Sequence, residues 1–153
     1  VNLFQICCPA DFDYARILRD PGATIYVNID NRSFPDDQWW DLPLSVLEMW
    51  CWNLRRNAKL PSAEFSLCFM DGPYSIRCKK DRASVKMQFI KDEEILYESA
   101  ATFDELKTAV YIASTELVSS LEKHGIVKFR RMSGLKKEMK RLNRPALFRF
   151  ERL

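Results

Sequence analysis

Apolar and polar residues alternate through Tyr74-Ser75-Ile76-Arg77-Cys78-Lys79, and again where Val85, Met87 and Phe89 are separated by Lys86 and Gln88. A period of two sends successive side chains to opposite faces, so both segments predict half-solvated strands of an antiparallel sheet. Phe65, Leu67 and Phe69 predict a strand over 64–70, and residues 95–101 predict a fourth in the same meander. Asp71-Gly72-Pro73, Asp81-Arg82 and Lys91-Asp92-Glu93-Glu94 supply the turns between them. Earlier in the chain, Thr24-Ile25-Tyr26-Val27-Asn28-Ile29 is rich in β-branched residues and reads as one further strand. Residues 1–22 read as irregular, and Asn31 to Asp37 as a loop.

The period then changes to that of a helix. Val46, Leu47, Trp50 and Leu54 share one face of a segment running from about Leu42 to Asn57. Pro43 fits only the first turn of a helix, which points to Asp41 as the N-cap. Trp39 and Trp40 precede that cap and suit a hydrophobic staple. Thr102-Phe103-Asp104-Glu105 has the form of a capping box, and Phe103, Leu106, Val110, Ala113, Leu117 and Leu121 mark an amphipathic helix behind it. His124-Gly125 closes that helix, with glycine at the usual terminating position. Ser133 is placed to cap a short third helix carrying Leu135, Met139 and Leu142, which Asn143-Arg144-Pro145 stops. Leu147 to Phe150 reads as a last edge strand. The predicted fold class is α+β: an antiparallel meander with two long helices packed on one face, in the order β-α-β-β-β-β-α, plus a short C-terminal helix and strand.

A length of 153 residues fits a single domain with its own core. The core is expected over about 24–125, with a basic extension over 126–153. The net charge of +3 conceals that division. Residues 1–125 hold 14 Lys/Arg against 19 Asp/Glu, and residues 126–153 hold 10 against 2. An acidic body of −5 thus precedes a basic end of +8. No apolar run approaches the ~18 residues of a membrane span, and Val1 to Ile6 lacks the basic and apolar regions of a signal peptide. The five cysteines, Cys7, Cys8, Cys51, Cys68 and Cys78, are odd in number and never spaced CxxC. They read as free thiols, two or three of them small core residues, in a reducing cytoplasm. Cys7-Cys8 stands apart as a potential surface pair.

Catalytic chemistry finds little purchase. The one histidine, His124, sits where a helix dipole favours it, and without cysteines at ligand spacing it makes no zinc site. No GxSxG, GxGxxG or P-loop is present. Asp36-Asp37 and Glu93-Glu94 are adjacent acids of the kind that loops hold in solvent. The expectation is a protein without catalysis, cofactor, metal or small-molecule substrate. The basic segment 126–153 leaves nucleic-acid binding as the alternative, although it lacks interleaved aromatics and any recognised RNA-binding signature.

All four tryptophans lie between Trp39 and Trp52, more than one helix face can hide. Trp50 is expected in the core. Trp52, on the far side from it, and Trp39 or Trp40 are expected to be partly exposed. The stretch Phe34-Pro35-Asp36-Asp37-Gln38-Trp39-Trp40-Asp41-Leu42-Pro43, followed later by Phe69-Met70-Asp71-Gly72-Pro73-Tyr74, resembles motifs of small bacterial immunity-type proteins of contact-dependent inhibition and other polymorphic toxin systems. The resemblance spans roughly residues 24–124. It implies a cytoplasmic protein that binds a cognate toxin domain, such as a nuclease, and blocks it sterically and electrostatically. The acidic body suits docking to a basic cleft. The expected partner surface is acidic and aromatic: Asp36, Asp37, Trp39, Asp41, Glu48 and Asp71.

Overall fold

The computed structural model describes residues 3–17, 20–127 and 130–144. Its centre is a four-stranded antiparallel meander of β6 (Ser62–Cys68), β7 (Tyr74–Asp81), β8 (Ser84–Lys91) and β9 (Glu94–Thr102), in that spatial order. The period-two pattern sets its register. Leu67, Ile76 and Phe89 align across β6, β7 and β8, as do Phe65, Cys78 and Met87, and all six are buried. Glu64, Lys79 and Lys86 form the corresponding row on the solvent face. The predicted α+β class is the observed one.

Of the three helices among the described residues, two follow their sequence signals closely. α1 spans Pro43–Asn57, and α2 spans Phe103–Lys123. In α2 the Thr102 hydroxyl accepts from Glu105 N and the Glu105 carboxylate accepts from Thr102 N, the expected capping box. His124 follows the last turn and Gly125 leaves it at φ 76°. α3 begins at Arg130 and ends at Leu142. Ser133 therefore lies inside the helix and does not cap it. The expected strand at Leu147 to Phe150 falls outside the described residues.

The first forty residues differ most from expectation. Instead of an irregular start, β1 (Gln5–Cys7) forms a strand and Tyr14–Arg16 a 3-10 turn. The single strand expected at 24–29 is two: β2 (Ala23–Thr24) and β3 (Tyr26–Ile29). β2 pairs with β5 (Trp40–Asp41), while β3 pairs with β1 and with β4 (Arg32–Phe34), where a loop was expected. The β3–β4 hairpin turns at Asp30-Asn31, both at positive φ (53° and 58°). Asp and Asn tolerate that conformation better than other non-glycine residues, and two consecutive left-handed residues match the twist of a tight hairpin.

One continuous core joins these parts. Trp50 of α1 donates from Nε1 to the Cys68 carbonyl at 2.8 Å and meets Phe69 edge-on, fixing α1 against β6. The Phe65 and Phe103 rings meet edge-on where α2 begins. The helices do not cover the sheet alone. Phe34 of the three-stranded β1-β3-β4 sheet inserts its ring among Phe69, Tyr74, Phe89 and Tyr97. Phe4 and Phe12 from the start of the chain, and Met132, Leu135 and Leu142 from α3, belong to the same core.

α3 accounts for part of the basic segment. Its apolar face packs on α1 and α2, and several of its charges are paired. Glu138 takes Arg55 of α1 at 3.0 Å and Arg141 at 3.2 Å, and Lys136 meets Glu122 of α2 at 2.6 Å. Lys137, Lys140 and Arg144 remain exposed. Among the described residues, no helix is long and apolar enough to cross a membrane.

Candidate functional site

Asp41 organises the stretch that the sequence singled out. Short pairing with Ala23–Thr24 holds Trp40 and Asp41 extended, so their side chains diverge: Trp40 outward and Asp41 inward. Asp41 is only 1% exposed. Its carboxylate accepts from Leu42 N at 2.7 Å, Trp39 Nε1 at 2.9 Å, Met70 N at 3.1 Å and Asp71 N at 3.2 Å. A buried carboxylate needs such donors, because an ionised group without them carries a large desolvation penalty. These bonds tie the 36–42 loop to the β6–β7 turn, thirty residues away in sequence.

The expected N-cap is thereby corrected. Leu42 occupies that position, without a side-chain cap, because the Asp41 carboxylate is committed to other donors. Asp41 lies beneath the surface, where it positions the residues around it.

Trp39 is half-buried and lines the seam between the two loops. Its ring meets Tyr74 edge-on at 4.9 Å and Phe69 at 6.5 Å. Gly72, at φ 88°, passes so close that a Cβ there would lie 3.0 Å from the indole. The Asp-Gly-Pro turn therefore needs glycine for backbone conformation and for Trp39. Asp36 is exposed and its Oδ1 accepts from Gln38 N at 2.8 Å, a turn that holds the loop. Asp37 and Asp71 are also exposed.

Glu48 stands apart from this group. It is half-buried on α1 and lines a cleft of about 220 Å³ with Met49, Trp52, Met70 and Arg131. Burial raises its carboxyl above the ordinary range, opposed by the Arg131 guanidinium at 4.0 Å. Its charge is thus partly engaged by the protein's own α3. α3 approaches closely there, since a Cβ on Gly134 would clash with Glu48 Oε1.

Of the six expected residues, the fold brings Trp39, Asp41 and Asp71 into one cluster. It leaves Asp36, Asp37 and Asp71 exposed, and turns Glu48 toward α3. The tryptophans divide as the helix pattern implied: Trp50 is in the core, Trp52 is 40% exposed under Arg56, and Trp40 is 51% exposed. Met70, 45% exposed, was not singled out, though the alternation that buries Phe69 points its neighbour outward. No group of three or more His, Cys, Asp or Glu poised for a metal ion occurs among the described residues. His124 stacks on Tyr14 and contacts the Ser120 carbonyl. The surface around Asp41 thus presents carboxylates and partly exposed aromatic and thioether side chains on a tied pair of loops. No protein-family model matches the chain, and no curated protein or solved structure matches it.

Proposed function

We propose that this protein is a binding protein of the immunity type, which occupies and blocks a toxin domain without catalysis. The observation that carries this reading is the Asp41 carboxylate, which ties the loop bearing Asp36, Asp37 and Trp39 to the turn bearing Asp71. Loops held rigid on a scaffold are effective binding surfaces, because little conformational freedom is lost on association. Exposed acids beside aromatic and Met side chains suit a basic partner: the charges speed encounter and the apolar groups supply buried area. The five free cysteines suit a reducing compartment, the producing cell's cytosol.

The direct test is binding to the C-terminal domain of a toxin encoded beside this protein's gene. Asp36→Ala, Asp37→Ala and Asp71→Ala should each slow association and flatten its salt dependence, with little change in melting temperature. Removal of a central interface charge typically costs ~2–5 kcal/mol of affinity. Unchanged binding in all three variants would overturn the reading. The basic outer face of α3, with Lys137 and Lys140, and Arg144 just beyond it define the rival outcome. Nucleic acid bound with a steep salt dependence, and no toxin domain bound, would assign the protein to that class.

A further inference from the structure

A second surface shares no residue with the first. β1 is an edge strand: β3 pairs with one side of it, and no strand among the described residues pairs with the other. A groove of about 520 Å³ lies against it, walled on one side by every residue from Leu3 to Cys7. Side chains of a strand alternate between faces, so a groove over one face would be lined by alternate residues. Lining by consecutive residues places this groove along the strand edge, where the backbone donors and acceptors lie.

The opposite wall is a single stripe of α2: Asp104, Glu105, Thr108, Ala109, Ile112 and Glu116. Twelve helical steps at ~1.5 Å give a wall of roughly 18 Å. From Leu3 to Cys7, four strand steps at ~3.3 Å give roughly 13 Å. The shorter wall therefore accommodates an extended segment of about four to five residues.

The chemistry of the groove selects its occupant. Leu3 and Ile112 are 53% and 50% exposed, apolar groups left in water beside an open edge. The helical wall carries three carboxylates, and among the described residues no lysine or arginine lines the groove. Glu105 is already held by the capping box, while Asp104 and Glu116 are exposed and form no ion pair among the described residues. Proteins commonly blunt a free edge with charge or proline, yet β1 offers Gln5, Ile6 and Cys7. A second copy of this chain is disfavoured as the occupant, because pairing β1 with β1 would bring two acidic stripes together.

We propose that this groove binds an extended segment of a partner protein, alternating apolar and basic residues, as an added strand on β1. Backbone bonds to the edge would hold the segment, its apolar side chains would cover Leu3 and Ile112, and its cations would face Asp104 and Glu116. The proposal is independent of the surface around Asp41.

The test uses the full chain and a fluorescein-labelled peptide alternating lysine and valine, followed by anisotropy. Saturable binding is expected. It should weaken at least tenfold when alternate peptide nitrogens are methylated, when glutamate replaces lysine, and in Ile112→Lys or Glu116→Lys, both at exposed positions. Hydrogen exchange at Gln5 to Cys7 should slow when the peptide binds. Asp36→Ala and Asp37→Ala should leave this binding unchanged, which separates its outcome from that of the toxin-binding test. Absence of saturable binding would overturn the proposal, as would equal affinity for the methylated peptide or for both groove variants. Self-association lost in Ile112→Lys would assign the groove to a second copy and overturn it as well.

Discussion

Replacing Asp41 with asparagine preserves the side chain's shape but turns one of its two acceptor ends into a donor. Both ends face donors in the native protein. Oδ1 takes Leu42 N and shares Asp71 N, while Oδ2 takes Trp39 Nε1, Met70 N and the other half of Asp71 N. Whichever way the amide is turned, its NH2 opposes at least one N–H. The less damaging orientation keeps oxygen toward Trp39 and Met70 and leaves Leu42 N unpaired, at ~1–3 kcal/mol. The retained bonds also lose their charge assistance, which roughly doubles the strength of such bonds. Neutralising a buried carboxylate recovers part of its desolvation cost, so the net expectation is a loss of about 2–4 kcal/mol. At this chain length each kcal/mol lowers the melting temperature by about 2–4 °C. Urea unfolding followed by tryptophan fluorescence is the assay, and Trp39 is itself a ligand of the altered group. Asp36→Asn, at an exposed turn, is the control and should stay within about 0.5 kcal/mol of the parent. An Asp41→Asn protein equally close to the parent would refute the view that this carboxylate holds the two loops together.

Two further expectations test the packing. Arg55→Ala should destabilise by about 1–2 kcal/mol in urea, because it strips one of two cations from the buried Glu138; the figure is discounted because Arg55 is partly exposed. An unchanged urea midpoint would show that Arg141 suffices. Burial pushes the thiols of Cys51 and Cys78 up to about 12, from an ordinary value of 9.0. Between those values the unfolded chain releases protons that the native protein retains. Their contribution is therefore full below pH 9 and is lost as pH rises toward 12. Melting temperature should fall over that range, less steeply in Cys51→Ala, and an identical slope in that variant would exclude the thiol as a cause.

Local periodicity and capping chemistry made much of this fold legible. The meander β6–β9 and the helices α1 and α2 follow from patterns spanning only a few residues: alternation at 74–89, helical spacing at 103–121, and the reciprocal Thr102–Glu105 cap. Of the early strands, only the stretch around Tyr26–Ile29 declared itself, through its β-branched residues; β1, β4 and β5 were hidden because each is two or three residues long, too short for a period to show. Their pairing depends on partners elsewhere, Gln5–Cys7 with Tyr26–Asn28 and Ala23–Thr24 with Trp40–Asp41. The role of Asp41 was hidden for the same reason. An aspartate before a leucine-proline step has the local signature of a cap, and only the β6–β7 turn, brought in by the sheet, supplies the other amides that claim it. Residue identity thus determined which groups want donors, cores or solvent. The tertiary structure decided which distant backbone satisfies them, because that choice depends on pairing and packing between segments no local pattern connects.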